Sequence, residues 1–415
     1  MNSKIQNKNH QLVIVALLFF AVTVHSQISI RQTKEDNDLK LSALPYYSYG
    51  KGIGMTSPDS LFQFNIRFRM QNRVTYLDNE GERPAYDGQI RRLRLRFDGY
   101  VGSPKILYAI QLSFAPGDVG EVREGENINI IRDAVVFYRP NRNWNLSFGQ
   151  TKLPGNRQRV NSSGGLQLTD RSINNAKFTL DRDFGVQVHN LNEYRNKFSY
   201  NLKAAVSTGE GRNITGKADD GIALTGKAEI LPLGAFAKDG TYFEGDIVRE
   251  PEPKLMFSGA FQQNNNALRT QGQLGENLFE NRTMRSVLLD AMVKYRGWAA
   301  MSSFMSRRSS DYAVTVNPDD LTQTNYVFVG DGFDYQLSYN FRSNYEIIGR
   351  YSIQHVGEDI HNLTPNTKQY SIGVTKYIWE HTFKLQGEVN YDAQEYSNGS
   401  TKNNWYVRFQ LEIGI

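Results

Sequence analysis

Residues 62–76 read Phe-Gln-Phe-Asn-Ile-Arg-Phe-Arg-Met-Gln-Asn-Arg-Val-Thr-Tyr. Counting from Phe62, every second side chain is apolar except Asn72, and the side chains between them are polar or cationic. This strict alternation predicts a β-strand with one apolar face and one wet face. It is much longer than the usual strand of about five or six residues. A row of arginines opposite a row of aromatic rings is typical of a strand that separates lipid from water.

The first 26 residues have the pattern of a secretory signal peptide. Lys4 and Lys8 precede an apolar run at residues 12–24, and the small residue Ser26 precedes Gln27. The run is too short to span a bilayer and lies where a cleaved segment would lie. The chain has no cysteine, which is compatible with export because no disulfide bond is needed. We therefore expect export through the Sec pathway and removal of residues 1–26.

Sixteen alternating segments follow a region, residues 27–60, that lacks clear alternation. They lie near residues 62–77, 89–101, 105–114, 130–138, 144–151, 176–189, 198–208, 221–231, 254–262, 285–296, 298–306, 332–341, 345–354, 368–378, 381–391 and 403–415. Short connections such as 102–104 alternate with long ones such as 307–331. Outer-membrane barrels have this asymmetry, with short periplasmic turns and long outer loops. We expect residues 27–60 to form a leader, periplasmic or associated with the lumen, and we interpret the long connection 232–253 as an insertion.

The last segment repeats the pattern of the first. Trp405, Phe409 and Ile413 share one face, while Arg408 and Glu412 share the other. A closing strand is required in lipid because an unpaired sheet edge is very costly there. A half-buried strand of a soluble sandwich is the alternative, but the signal peptide, strand count and loop asymmetry favour a barrel. We predict an all-β, transmembrane, antiparallel β-barrel of about sixteen strands over residues 61–415, wide enough for an aqueous channel.

Several short stretches occur in a recognisable order. They are residues 90–99 (IRRLRLRFDG), 131–134 (IRDA), 148–154 (FGQTKLP), 170–172 (DRS), 181–186 (DRDFGV) and, less clearly, 332–339 and 350–352. In this order they resemble the phosphate-selective porin O and P family of Gram-negative outer membranes, and more closely its divergent Bacteroidota members. The resemblance covers most of residues 62–415. It implies a sixteen-stranded, anion-conducting barrel in the outer membrane, often a homotrimer.

Six arginines of the first two predicted strands are candidates for lining the pore and binding anions. They are Arg67, Arg69, Arg73, Arg92, Arg94 and Arg96. Opposed side chains of a hairpin lie about 5 Å apart, so these charges repel unless an anion or carboxylate lies between them. A guanidinium keeps its charge, and its planar fork suits phosphate or carboxylate oxygens. The resemblance implies an arginine ladder here, and the alternative is pairing with lumenal acids such as Asp98, Glu388 and Glu412.

The third long loop, residues 152–175, is the candidate constriction because this loop commonly folds into the lumen in such barrels. Its charged residues are Lys152, Arg157, Arg159, Arg171 and one acid, Asp170. A basic constriction raises the local concentration of anions, an effect that salt weakens. The loop departs from the phosphate-binding members of the family, in which lysines dominate, so small oligosaccharides or organic anions are alternatives to phosphate. A solvated surface loop is the alternative to a constriction.

The remaining patterns do not indicate an enzyme. The four histidines after residue 26 have no metal-ligand spacing, no Gly-x-Ser-x-Gly motif occurs, and we expect neither metal nor cofactor. Lysine and arginine outnumber aspartate and glutamate by only 48 to 43, which does not indicate nucleic-acid binding. We predict a porin for passive diffusion, with outer-membrane lipid and small anionic or polar solutes as partners. The competing interpretations are a non-conducting barrel that serves as a binding or assembly platform, and a barrel hydrolase that uses a wall serine with His189 or His381.

Overall fold

The computed structural model describes residues 52–119, 129–213 and 221–415. The predicted signal peptide, residues 1–26, and most of the predicted leader, residues 27–60, lie outside the described residues. The strands are β1 (Ile53–Thr56), β2 (Phe62–Asn79), β3 (Ala85–Val101), β4 (Ser103–Ser113), β5 (Ile131–Tyr138), β6 (Trp144–Lys152), β7 (Arg182–Asn192), β8 (Ser199–Ser207), β9 (Ala223–Leu231), β10 (Lys254–Arg269), β11 (Asn277–Tyr295), β12 (Trp298–Ser309), β13 (Val314–Val316), β14 (Thr324–Tyr326), β15 (Gly330–Asn340), β16 (Tyr345–Val356), β17 (Asn366–Trp379), β18 (Phe383–Glu395) and β19 (Thr401–Gly414).

Sixteen of these strands close into one antiparallel ring. Neighbours in the chain pair from β2 to β12, β12 pairs with β15, and pairing continues to β19. β19 then pairs with β2, with Gln410 opposite Arg73 and Glu412 opposite Gln71. The predicted barrel is therefore confirmed. β13 and β14 form a separate hairpin in the β12–β15 connection, and within the described ranges no helix has the length and apolar character needed to cross a bilayer.

The alternation of residues 62–76 separates two environments, as predicted. Val74 is 54% exposed on the outer face, whereas Gln71 and Arg73 are buried on the inner face. Phe409 of β19 is also exposed, and Glu412 is buried. Apolar side chains therefore face outward and polar ones face the lumen.

Several strands end at other residues than predicted, because backbone pairing continues beyond the residues that show apolar alternation. β10 and β11 leave a connection of residues 270–276 instead of the predicted 263–284, because backbone hydrogen bonds do not require an apolar face. The strand predicted from residue 176 begins only at Arg182. Residues Ile173–Phe178 form a helix instead, whose N-terminus is capped by Ser172 Oγ accepting a hydrogen bond from Asn175 N at 3.0 Å.

The helices are short and lie in the connections. They are α1 (Pro116–Val119), α2 (Arg157–Val160) and α3 (Ile173–Phe178), with 3-10 turns at Ser163–Gly165, Ala237–Tyr242 and Glu358–Ile360. α2 and α3 belong to the connection of residues 153–181, which we call the β6–β7 loop. The connection of residues 232–253, called the β9–β10 segment, leaves the opposite end of the barrel.

β1 lies in the part of the chain predicted as a leader. It pairs with β2 from Ile53 opposite Ile66 to Thr56 opposite Gln63. β19 pairs with the rest of the same edge of β2, up to Gly414 opposite Arg69. β1 and β19 therefore share one edge of β2 without overlap.

Candidate functional site

The β6–β7 loop crosses the lumen and is hydrogen-bonded to the inner faces of strands far from it in sequence. Thr169 N donates to Glu388 Oε2 at 2.8 Å, and Lys384 Nζ donates to the carbonyl oxygens of Gly164 at 2.8 Å and Leu166 at 2.6 Å. Because these backbone groups are buried, they need such partners, and polar wall side chains supply them. The loop is therefore a fixed part of the barrel interior.

The loop packs against one half of the wall through apolar side chains. Leu153, Phe178 and Leu180 form a buried cluster with residues of β11 and β12, among them Leu288 and Met305. Burial of this apolar surface stabilises the docked loop. The apolar side of the loop thus lies against β10 to β15, while its polar side faces the opposite half of the barrel.

A cavity of about 480 Å³ lies between the loop and that opposite half, whose wall is mainly β2 to β7 and β19. Twelve cationic side chains and four carboxylates border it among the described residues. They are Arg67, Arg69, Arg91, Arg92, Arg94, Arg96, Arg132, Lys152, Arg159, Arg171, Arg182 and Arg212, with Asp118, Asp170, Asp181 and Glu412. Eight of the ten residues predicted from the sequence are in this set, and Arg73 and Arg157 are not.

Asp170 of the loop is shared by three wall arginines. Its carboxylate accepts hydrogen bonds from Arg73 at 2.8 Å, Arg92 at 2.9 Å and Arg91 at 3.1 Å. Burial opposes ionisation, but the charges of Arg92, Arg91 and Arg73 outweigh it and hold the pKa of Asp170 well below its ordinary value. Asp170 is therefore an anion that ties the loop to β2 and β3.

The other wall arginines also have carboxylates nearby. Arg67 and Arg96 contact Asp98 at 3.3 and 2.8 Å, and Arg69 Nε lies 3.7 Å from Glu412. Asp98 and Glu412 are both among the lumenal acids that the sequence offers as alternative partners of these arginines. Arg94 pairs with Asp118 of α1 at 2.6 Å, a contact that the strand pattern alone could not predict.

Two predicted loop cations have only uncharged partners among the described residues. Lys152 Nζ donates to the carbonyl oxygen of Val160 at 2.9 Å, and Arg171 Nη2 donates to that of Asn161 at 3.1 Å. Burial, together with the charges of Arg159 and Arg92, lowers the pKa of Arg171 well below its ordinary value. An anion beside Arg171 would relieve this repulsion.

Arg157 lies apart from the other candidates. Its guanidinium contacts Glu229 of β9 at 2.6 Å, and both side chains are fully buried. Lys203 and Lys227 lie 3.0 and 3.1 Å from the same carboxylate. Arg159, in contrast, donates to Asp181 at 2.8 Å and borders the cavity.

Two β-bulges explain lumenal arginines that the alternation did not predict. Gln71 is opposite Arg92 but Asn72 is opposite Ile90, so Arg91 is the extra residue. In the pairing of β4 with β5, Arg132 of β5 is the extra residue in the same way. A bulge turns successive side chains toward one side of a sheet. In the sequence, each bulge is indicated by two consecutive charged residues inside an alternating strand. These pairs are Arg91-Arg92 and Arg132-Asp133.

The lowered pKa of Asp170 predicts a site whose charge is insensitive to mild acid. Because its folded-state pKa is lowered, its stabilising charge is fully present above the unfolded-state value of about 3.9 and is lost only as pH falls through the lower folded-state pKa. Arginines stay charged throughout. We expect equal ion selectivity at about pH 8 and about pH 5. A selectivity change centred near neutral pH would show that another group controls the passage.

Comparison with known proteins gives a family match over part of the chain and a shared fold. Residues 64–242 match the family model of the phosphate-selective porins O and P, which confirms the resemblance found in the sequence. The match begins in β2 and includes all ten predicted site residues. No curated protein gives a significant match.

Solved structures of outer-membrane channels share the fold at low sequence identity. The channel DcaP of Acinetobacter baumannii is 13% identical, with a TM-score of 0.54 over 87% of this chain and 99% of that chain. The anion-selective porin of Comamonas acidovorans is 12% identical, with a TM-score of 0.50 over 85% and 100%. Salmonella typhi OmpF in complex with daunomycin is 11% identical, with a TM-score of 0.52 over 86% and 100%. The family match and the shared fold support an outer-membrane channel.

Proposed function

With the family resemblance confirmed over residues 64–242, we propose that the protein is a porin through which small anions diffuse passively. The observation that carries the proposal is the composition of the cavity border, twelve cations against four carboxylates in the described chain. A narrow passage lined by one sign of charge concentrates counter-ions and speeds their entry.

The carboxylates at the cavity do not cancel this charge, because several arginines share each of them. Asp170 forms ion pairs with Arg73, Arg91 and Arg92. Asp118 forms ion pairs with Arg94 and Arg132. Each cluster therefore keeps a net positive charge. The proposed solutes are small oxyanions, phosphate or carboxylate, whose oxygens match the arginine fork.

We propose the β6–β7 loop as the constriction. It forms one side of the cavity with Arg159 and Arg171, while Arg92 and Arg94 form the other. Charges on both sides act on a solute at short range, where salt screens them least. Arg157 is left out of this proposal because Glu229 neutralises it on the far side of the loop.

We propose Sec-dependent export with removal of residues 1–26, insertion into the outer membrane of a Gram-negative bacterium, and a homotrimer as the family resemblance implies. Migration of unheated protein on a denaturing gel, compared with heated protein, tests the trimer.

Ion selectivity tests the function directly. In a planar bilayer with a KCl gradient, we expect stepwise channels and a reversal potential of the sign that chloride preference produces. Preference for potassium would contradict anion transport. Absence of channels would favour the binding or assembly platform instead. Inhibition of the chloride current by phosphate at a much lower concentration than by chloride itself would identify phosphate as a preferred solute.

A further inference from the structure

The β9–β10 segment enters the lumen from the end of the barrel that otherwise has short turns. Tyr242 and Phe243 are buried, although a connection at this end of a porin barrel is normally a short exposed turn. Lys294 of β11, itself buried, donates from Nζ to the carbonyl oxygens of Gly240 at 2.6 Å and Phe243 at 2.8 Å. The wall therefore holds the backbone of the segment inside the barrel.

The segment reaches opposite sides of the ring. Tyr242 Oη donates to Glu193 in the β7–β8 turn at 2.7 Å, and the ring of Phe243 lies 4.9 Å from that of His381 in the β17–β18 turn. Eight strands separate these two turns in either direction around the sixteen-stranded ring. The segment thus spans a diameter of the barrel.

The segment also meets the β6–β7 loop, which comes from the other end. Glu244 N donates to Gly165 O at 2.9 Å, and Glu244 Oε2 accepts a hydrogen bond from Gln167 N at 3.1 Å. A side chain at Gly165 would place its Cβ 2.8 Å from Phe243 Cβ, so the two elements are in close contact at this position. A pocket of about 10 Å³ lies where the two elements meet β11, β12 and β15, and this volume is at the lower limit for one water molecule.

We propose that the β9–β10 segment is a partition that closes the half of the lumen bounded by β8 to β17. Solutes are then confined to the other half, where β18, β19 and β2 to β7 form the wall. The arginine-bordered cavity lies in that half. The partition is thus a specificity-determining element, since it prevents solutes from bypassing the arginines. This proposal rests on the proposed porin function.

Removing the three side chains at the centre of the segment tests the partition. The variant carries Tyr242→Gly, Phe243→Gly and Glu244→Gly, and the control is Lys238→Gly, because Lys238 is exposed and already has a positive φ. We expect the conductance of the triple variant to rise about twofold and its anion preference to fall, since each half of the ring has eight strands. The control should match the wild type.

Folding of each variant is verified by circular dichroism and by heat-dependent gel migration. A folded triple variant with unchanged conductance and selectivity would overturn the partition. If only the triple variant forms channels, the result supports the partition. It contradicts passive diffusion through the wild-type protein. Channels in neither protein would reject both proposals.

A disulfide tests the contact between the two elements by fixing it covalently. The chain has no cysteine, so the pair Gly165→Cys and Phe243→Cys forms the sole possible bond within a chain. The Cβ atoms of a disulfide lie about 3.5–4.5 Å apart, which a small adjustment of these positions allows. We expect the bond to form under oxidation in the membrane and to leave conductance within the wild-type range. Failure of a folded double variant to form it, or a large rise in conductance on its formation, would contradict a partition fixed in this position.

Discussion

Replacing Arg92, Arg94 and Arg96 together with glutamine is expected to lower the ratio of chloride to potassium permeability by roughly threefold to tenfold. A unit charge about 8 Å from an ion contributes about 0.5 kcal/mol in water. Three such charges therefore approach the roughly 1.4 kcal/mol that corresponds to a factor of ten, and salt screening reduces this. Reversal potentials in a KCl gradient measure the ratio.

The triple variant should still fold, because each carboxylate keeps another cation. Asp98 keeps Arg67, Asp118 keeps Arg132, and Asp170 keeps Arg73 and Arg91. Replacing the same three arginines with lysine is the matched control, since it retains the charge and removes the planar fork. Unchanged selectivity in the glutamine variant would show that other residues determine ion preference. Lost selectivity in the lysine variant as well would show that the guanidinium geometry matters more than charge.

Glu229→Gln is expected to destabilise the barrel by about 3–5 kcal/mol, the usual cost of leaving a buried charge without its partner. Glu229 is the common partner of Arg157, Lys203 and Lys227, and its side chain is fully buried. The amide keeps the shape of the side chain but removes the charge that these cations share. Urea unfolding of the refolded protein in detergent, followed by tryptophan fluorescence, measures the difference.

Asp331→Asn is the control for this measurement. Asp331 pairs with Arg308 at 2.7 Å, but Arg308 is 57% exposed. Exposed ion pairs contribute about 0–1 kcal/mol, so this variant should unfold close to the wild type. A loss of less than about 1 kcal/mol for Glu229→Gln as well would show that Arg157 and the two lysines find water or other partners when the carboxylate is removed.

The fold could be predicted from the sequence because its determinants are local and repeated. Alternation in residues 62–76 and in the last strand decides which side chains face lipid, and closure follows from pairing β19 with β2. The same alternation predicted the inward direction of Arg92, Arg94 and Arg96. It could not predict Arg91 and Arg132, because a bulge interrupts the period of two on which the prediction depends.

The contents of the lumen depend on contacts between residues far apart in the chain. The charge of Arg157 looked like that of Arg159 in the sequence, but Glu229, 72 residues further on, neutralises it. In the sequence, only the length of the segment at 232–253 indicates an insertion. Its position across the barrel depends on Glu193, Lys294 and His381, which no local pattern connects to Tyr242 or Phe243.

The division of one edge of β2 between β1 and β19 has a consequence for the order of assembly. β1 occupies residues 63–66 of that edge and β19 occupies residues 69–79. The β1–β2 hairpin can therefore form before the ring closes. When the ring closes, β19 pairs with residues of β2 that β1 does not occupy, and it displaces no strand. Barrel closure in this protein thus requires no strand exchange at the seam.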